Sequence, residues 1–155
     1  MHKIPHQTLT FSLATADEFY EIKHFLKRNK IDSANRDDFI YIVRLNNTII
    51  ATARLLKIEN SQNALWLRGL FVANEYRHLK IASQLLNHIK INLQEKPSYN
   101  TLYAFCECHL KPFYLSNQYQ LILPSYLPKA LQKRILRAQQ NGKNWLCFTQ
   151  QVQQT

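Results

Sequence analysis

Two spacings of apolar residues alternate along the chain, one typical of β-strands and one typical of α-helices. Runs rich in β-branched and aromatic residues predict seven strands, at 8–14, 39–45, 48–58, 64–72, 100–108, 119–123 and 145–149. Apolar residues three and four positions apart predict four helices. The first runs from 15 to about 29. The second begins in the segment 75–86 and ends before Pro97, and the other two span 110–117 and 128–140. This order of strands and helices indicates a mixed α/β fold around one central sheet.

Short signals mark where several of these elements begin and end. Thr15 followed by Glu18 is a capping box at the start of the first helix. Asn46-Asn47 predicts a tight hairpin, because asparagine tolerates left-handed backbone angles. Gly69 interrupts a strand pattern, which suggests a bulge or a close approach by another backbone or a ligand. Pro128 and Asn141-Gly142 are typical of the first residue and the C-cap of the last helix.

The length and composition predict one folded domain spanning residues 1–155. With 46% hydrophobic residues, the chain has enough apolar side chains for a sizeable core. No apolar run approaches the roughly 18 residues needed to span a bilayer, and residues 1–10 lack an apolar signal region. We therefore expect a cytoplasmic protein without a membrane segment.

The formal net charge of +10 favours anionic partners. Two basic clusters contribute, at 23–30 and 129–137, and both have apolar residues at helical spacing between the charges. That arrangement is typical of the solvated face of an amphipathic helix. Neither cluster interleaves exposed aromatic residues as single-strand binders do, so a nucleic-acid surface is possible but not favoured.

The three cysteines do not suggest a disulfide framework, because their number is odd. Cys106 and Cys108 would face the same side of a strand, and with His109 they could in principle hold zinc. No second ligand pair with metal spacing occurs elsewhere in the chain. We interpret the cysteines as core residues and expect no metal.

The most informative segment is EYRHLKIASQLL, residues 75–86, which follows a strand and opens a helix. A helix N-terminus presents backbone N–H groups and the positive end of the helix dipole to an anion. Arg77, His78 and Lys80 would add side-chain charge there, and the small pair Ala82-Ser83 leaves room for close approach. The segment therefore predicts a phosphate-binding helix start.

The same segment resembles the acetyl-CoA motif of the GNAT acyltransferases, which reads Arg or Gln, two residues, Gly, one residue, then Gly or Ala. In this chain the motif begins at Arg77 and ends at Ala82, and Lys80 stands where the family has its central glycine. The resemblance implies a single-domain GNAT fold and acetyl-CoA as co-substrate. It assigns the co-substrate to Leu70, Phe71, Val72, Arg77, His78, Leu79, Lys80, Ile81, Ala82 and Ser83.

A second landmark is PFYLSNQYQ, residues 112–120, which is similar to the later Phe-Tyr signature of the family. The resemblance implies that Tyr114 is the general acid that protonates the departing CoA thiolate. The family often places a carboxylate near the end of the third strand of its meander, where this chain has Leu67 and Arg68. Glu107 and His109 are the alternative candidates for the general base, and a water chain without a single base is the other option.

The resemblance identifies the donor better than the acceptor. The leading hypothesis is acetyl transfer to a primary amine of a small molecule or peptide. An RNA-linked acetyltransferase and a non-catalytic acyl-CoA sensor are the alternatives. The main acidic cluster comprises Asp17, Glu18, Asp32, Asp37 and Asp38. Residues 128–149 could cover the acceptor side of the sheet or form a homodimer contact.

Overall fold

A computed structural model of the protein describes residues 8–96 and 98–153. Within these residues the chain forms seven strands: β1 (Leu9–Leu13), β2 (Phe39–Leu45), β3 (Thr48–Lys57), β4 (Ala64–Val72), β5 (Thr101–Cys106), β6 (Gln120–Ile122) and β7 (Leu146–Gln151). The four α-helices are α1 (Phe19–Arg28), α2 (Ile81–Gln94), α3 (Lys111–Ser116) and α4 (Lys129–Gln140). The predicted order of strands and helices is confirmed.

The strands form one mixed sheet in the order β1-β2-β3-β4-β5-β7-β6. β1 is antiparallel to β2, β4 is parallel to β5, and β7 is antiparallel to both β5 and β6. The parallel register joins Ala64 to Thr101 at one end and Leu67 to Ala104 at the other. Because parallel neighbours need a crossover connection, α2 lies in the segment between β4 and β5.

The described residues group into two compact units, one made of residues up to 54 with 69–89, the other of 55–68 with residues from 90 onward. In the first unit, Ile22, Phe25 and Leu26 of α1 pack with apolar residues of β2 and β3. In the second unit, Leu131 and Ile135 of α4 pack with apolar residues that include Trp66 and Cys147. Both cores use the apolar helix faces that the sequence pattern predicts.

The predicted end of the fifth strand is wrong. The strand stops at Cys106, and a 3-10 turn at Cys108–Leu110 leads into α3. Cys106 is therefore buried and Cys108 exposed, instead of both facing one side. No group of three or more His, Cys, Asp or Glu residues in the described part of the chain could hold a metal ion.

Two sequence expectations fall wholly or partly outside the described residues. The missing apolar leader concerns residues 1–7, and the predicted limit of α2 concerns Pro97. Residues 154–155 are also outside the described part of the chain. None of the helices in 8–96 and 98–153 combines the length and apolar character needed to cross a membrane.

The predicted turn and cap signals are confirmed. Asn46 and Asn47 have φ angles of 49° and 74°, which the β2–β3 hairpin requires. The Thr15 backbone N–H donates to Glu18 Oε1 at 2.9 Å, as a capping box does. At the end of α4, Gly142 N–H donates to the Gln139 carbonyl and Lys143 N–H to the Ala138 carbonyl, at 3.0 and 2.9 Å. This pair of bonds is a Schellman motif.

Gly142 offers a clean test of that motif. Its φ is +82°, and a Cβ added there would meet nothing within 4 Å. Gly142→Ala should therefore lower the free energy of unfolding by about 1 kcal/mol through backbone strain alone, measured by urea denaturation. Gly142→Asn is the matched control and should lose less, because asparagine tolerates the left-handed region. An alanine variant as stable as the wild type would contradict the assignment.

Candidate active site

Gly69 gives the last part of β4 its shape. Its φ of +63° lies in the left-handed region, and a Cβ there would come within 3.0 Å of Arg54 Nε. A side chain at this position would thus be strained by the backbone and crowded by Arg54. The close neighbour is the Arg54 side chain, whereas the prediction named another backbone or a ligand.

Arg54 is a residue that the sequence analysis missed. It is only 5% exposed, and its Nη1 donates to the Ser33 carbonyl at 3.1 Å and faces Asp38 Oδ2 at 3.4 Å. Its Nε is buried and has no hydrogen-bond partner among the described residues. The guanidinium thus links the loop before β2 to β4 at Gly69. The signal in the sequence was an arginine inside the apolar run of β3, and that signal does not identify its partners.

Arg77 holds the turn that follows β4. Its Nε donates to the Val72 carbonyl at 2.9 Å, and its guanidinium lies 5.2 Å from the centre of the Phe71 ring. The Ala73 N–H donates to the Ile50 carbonyl at 2.8 Å, which anchors the same strand end. The Arg77 bond uses only Nε, so the outer nitrogens of its guanidinium remain available to an anion.

The turn from Arg77 to Ile81 keeps a glycine-type backbone without glycine. His78 and Lys80 have φ angles of 68° and 60°, a region that costs a non-glycine residue about 1 kcal/mol. Lys80 occupies the position where the predicted motif has its central glycine, and its φ angle is one that glycine adopts without strain. The Gln84 N–H donates to the Lys80 carbonyl at 3.0 Å, and α2 begins at Ile81.

The start of α2 is electropositive. Its first turn carries no acidic residue, and the side chains of Arg77, His78 and Lys80 are exposed. The N–H groups of Ile81, Ala82 and Ser83 point along the axis out of this end, where the helix dipole is positive. Ala82 is small and partly buried, while Leu79 is 58% exposed. These features suit a phosphate group.

Tyr114 lies in the second unit, on α3, within an aromatic cluster. Its ring stacks on Phe148 at 5.3 Å between centroids and meets Phe113 and Tyr119 edge-on at 5.2 and 5.4 Å. Burial raises the pKa of Tyr114 to about 12. The phenol is therefore protonated at neutral pH and can donate a proton or a hydrogen bond, but it is not a base there.

Glu107 and His109 lie on the turn between β5 and α3. Glu107 Oε2 and His109 Nδ1 are 3.4 Å apart, and the two side chains are 64% and 70% exposed. This carboxylate can orient the imidazole, as in many acid–base pairs. Both groups exchange protons readily with solvent because they are open to water.

Part of the acidic cluster is already neutralised within the first unit. Arg44 binds Glu18 and Glu21 at 2.8 Å each, and hydrogen bonding from Arg44 lowers the pKa of Glu21. Asp38 faces Arg54 at 3.4 Å. At least two of the five acidic residues in the predicted cluster, Glu18 and Asp38, are thus engaged by arginines.

The comparisons with known proteins identify the family from the sequence and the fold from solved structures. A sequence model of the Acetyltransferase (GNAT) family matches residues 6–114. No curated protein sequence matches the chain. Among solved structures, the chain is similar to an acetyltransferase of the GNAT family from Staphylococcus aureus Mu50, with a TM-score of 0.67 and 18% identity over 94% of this chain and 100% of that chain.

Two further structures are similar to the chain. One is the N-acetylglutamate synthase from Neisseria gonorrhoeae complexed with coenzyme A and N-acetyl-glutamate, with a TM-score of 0.71 and 14% identity over 95% of this chain. This chain spans only 36% of that protein. The other is the ribosomal-protein-S18-alanine N-acetyltransferase from Escherichia coli, with a TM-score of 0.66 and 13% identity over 96% of both chains. At these identities the similarity concerns the fold.

The turn before α2 can be tested by restoring the glycine. Lys80→Gly should raise the free energy of unfolding by about 1 kcal/mol, because glycine adopts φ of +60° without strain. Lys80→Ala is the matched control, since it removes the same charge but keeps the strained backbone, and it should give no such gain. Equal stabilities of the glycine and alanine variants in urea denaturation would contradict the left-handed assignment.

Proposed function

Because the chain belongs to the GNAT family of acetyltransferases, we propose that it transfers an acetyl group from acetyl-CoA to a primary amine of a small molecule or peptide. The observation that carries this proposal is the turn at 77–81. Lys80, at the position of the motif's central glycine, has a left-handed φ angle that glycine adopts without strain, and it comes directly before the helix that the motif requires. This turn supports the proposal of a CoA site despite the substitution.

The start of α2 is proposed to hold the pyrophosphate of acetyl-CoA. Backbone N–H groups of Ile81, Ala82 and Ser83 would donate to its oxygens, and Arg77 and Lys80 would add positive charge. Because Lys80 has a side chain, we propose that it compensates by charge for the closer approach that glycine allows. The exposed side chains of His78 and Leu79 flank the same turn.

The end of β4 is proposed to bind the pantetheine arm and the thioester. Backbone groups of Leu70, Phe71 and Val72 would pair with the arm, and an N–H group there would donate to the thioester oxygen as negative charge develops on it. Gly69 and Arg54 support this role, because they set the backbone just before these residues. Arg77 supports it from the other side through its bond to the Val72 carbonyl.

The proposed reaction is a direct transfer. The neutral amine attacks the thioester carbonyl, the C–N bond forms and the C–S bond breaks. The nitrogen then releases its extra proton to water, and the CoA sulfur leaves as a thiolate that takes up a proton. Tyr114 is proposed to supply that proton. A phenol with a pKa of about 12 is a weak acid for an ordinary thiolate. Desolvation raises the pKa of a thiol as it raises that of a phenol, so a CoA thiolate in a site closed to water would be a stronger base than in solution.

The amine must lose a proton before it attacks. A primary ammonium group has a solution pKa of about 10, so only about one molecule in a thousand is neutral at pH 7. Glu107 and His109 are the proposed base, acting directly or through water, since they lie on the turn that leads into the helix of Tyr114. Their exposure to solvent favours a water-mediated route.

The role of Tyr114 can be tested by removing its hydroxyl group. Tyr114→Phe should lower kcat by about 10² to 10⁴, measured as thiol release across a panel of primary amines. The affinity for acetyl-CoA, measured by calorimetric titration, should change little, because the aromatic ring remains. Tyr119→Phe is the matched control, since Tyr119 is a buried tyrosine of the same cluster, and it should keep most of the activity.

Two outcomes would contradict this proposal at different levels. Equal turnover in the wild type and Tyr114→Phe would remove Tyr114 from the mechanism but leave the acetyl transfer intact. No binding of acetyl-CoA to the wild type would refute the proposed function as a whole.

A further inference from the structure

The second unit contains a cavity of about 730 Å³ between α4 and the turn that follows β3. The basic residues that line it are Lys57, Lys129, Lys133, Arg134 and Arg137. Glu59 is the one acidic residue among the described lining residues. Such an excess of positive charge around one cavity favours an anionic ligand.

The cations of α4 are not neutralised by their surroundings. Within the described part of the chain, none of the four basic lining residues of α4 forms a salt bridge. Lys129, Lys133 and Arg137 are four residues apart, so they recur on one side of the helix about every 6 Å. Like charges at this spacing destabilise a helix, and a bound anion would relieve that cost.

The wall of the cavity also carries an unused hydrogen-bond donor. Trp66 lines the cavity and is only 7% exposed, and its Nε1 is buried without a hydrogen-bond partner among the described residues. The guanidinium groups of Arg68 and Arg134 lie 4.5 and 5.5 Å from the centre of its ring. A buried indole N–H normally has an acceptor.

The lining is apolar as well as basic. Leu56, Ile58, Pro128 and Leu131 contribute to it together with Trp66. Ile58, Leu131 and Trp66 are packed in the core of this unit, whereas Leu56 and Pro128 are only partly buried. A ligand that is only charged, such as inorganic polyphosphate, would leave the exposed surface of Leu56 and Pro128 without contacts. Trp66 is also the single aromatic residue among the described lining residues, and its buried ring leaves nucleobases no open face to stack on. The cavity therefore favours a ligand with both carboxylate and apolar groups over RNA.

We propose that this cavity binds an acidic segment of a partner protein, an extended stretch in which carboxylate side chains alternate with apolar ones. Alternate residues of an extended chain are about 6.6–6.8 Å apart, close to the 6 Å repeat of the α4 cations. Carboxylates would thus face the cations of α4, and the apolar residues would contact the exposed surface of Leu56 and Pro128. The β4 residue of this cavity is Trp66, whereas the proposed acetyl-CoA residues begin at Leu70, so the proposal does not depend on the proposed function.

The test uses the full chain without acetyl-CoA and four probes. A fluorescein-labelled decapeptide of alternating glutamate and leucine should bind in anisotropy titrations. Its counterpart with glutamine in place of glutamate, inorganic tripolyphosphate and single-stranded polyuridylate should each bind at least about tenfold more weakly, since each lacks either the charge or the apolar groups. Any of these three binding as tightly as the acidic peptide would overturn the proposal.

Matched variants locate the binding. Lys133→Gln with Arg134→Gln should weaken binding of the acidic peptide by about tenfold, because two cations at the cavity are lost. Lys23→Gln with Lys27→Gln removes the same charge from exposed positions of α1 and should change binding less than about twofold. Equal losses in the two variants would show binding to net charge alone and would overturn the proposal.

In the Trp145→Phe background, the peptide should also change the fluorescence of Trp66, and an unchanged spectrum would count against binding at this cavity.

Discussion

The proposed acetyl-CoA site depends on one feature of the backbone, the left-handed turn between β4 and α2. Two non-glycine residues, His78 and Lys80, keep positive φ angles there, although each would be less strained elsewhere. The turn persists because both of its flanks are held. Arg77 bonds the end of β4 through the Val72 carbonyl, and the Lys80 carbonyl accepts the first hydrogen bond of α2. The result is a helix start with an exposed, electropositive end.

In β4, the buried guanidinium of Arg54 lies where only a glycine leaves enough space, at Gly69. Gly69 permits Arg54 to lie against β4, and Arg54 in turn reaches Ser33 and Asp38 of the loop before β2. A buried guanidinium is costly unless its hydrogen bonds are satisfied, and here Nε has no partner among the described residues. Backbone shape and side-chain charge are thus coupled just before the residues proposed to contact the thioester.

Local patterns predicted much of the fold. The capping box, the Asn46-Asn47 hairpin and the C-cap at Gly142 depend on residues close in sequence, and these were predicted correctly. One local boundary was predicted wrongly: β5 ends at Cys106, two residues earlier than predicted, because a 3-10 turn begins at Cys108. Features that depend on distant residues were missed. The partners of Arg54 and the cavity beside Trp66 join segments far apart in sequence, so no spacing rule indicates them. The motif at 77–82 and the Phe-Tyr signature indicated the family, but the acceptor and the base leave no comparable pattern.

The most direct test of the proposed pyrophosphate site at the start of α2 is amide hydrogen exchange of the full chain with and without CoA. If the start of α2 binds the pyrophosphate, exchange of the amides of Ile81, Ala82 and Ser83 should slow when CoA is added, because these N–H groups become hydrogen-bond donors to the ligand. Amides of α4, in the other unit, should change little and provide the internal control. If CoA binds but leaves the exchange of the amides of residues 81–83 unaltered, the start of α2 is not the pyrophosphate site.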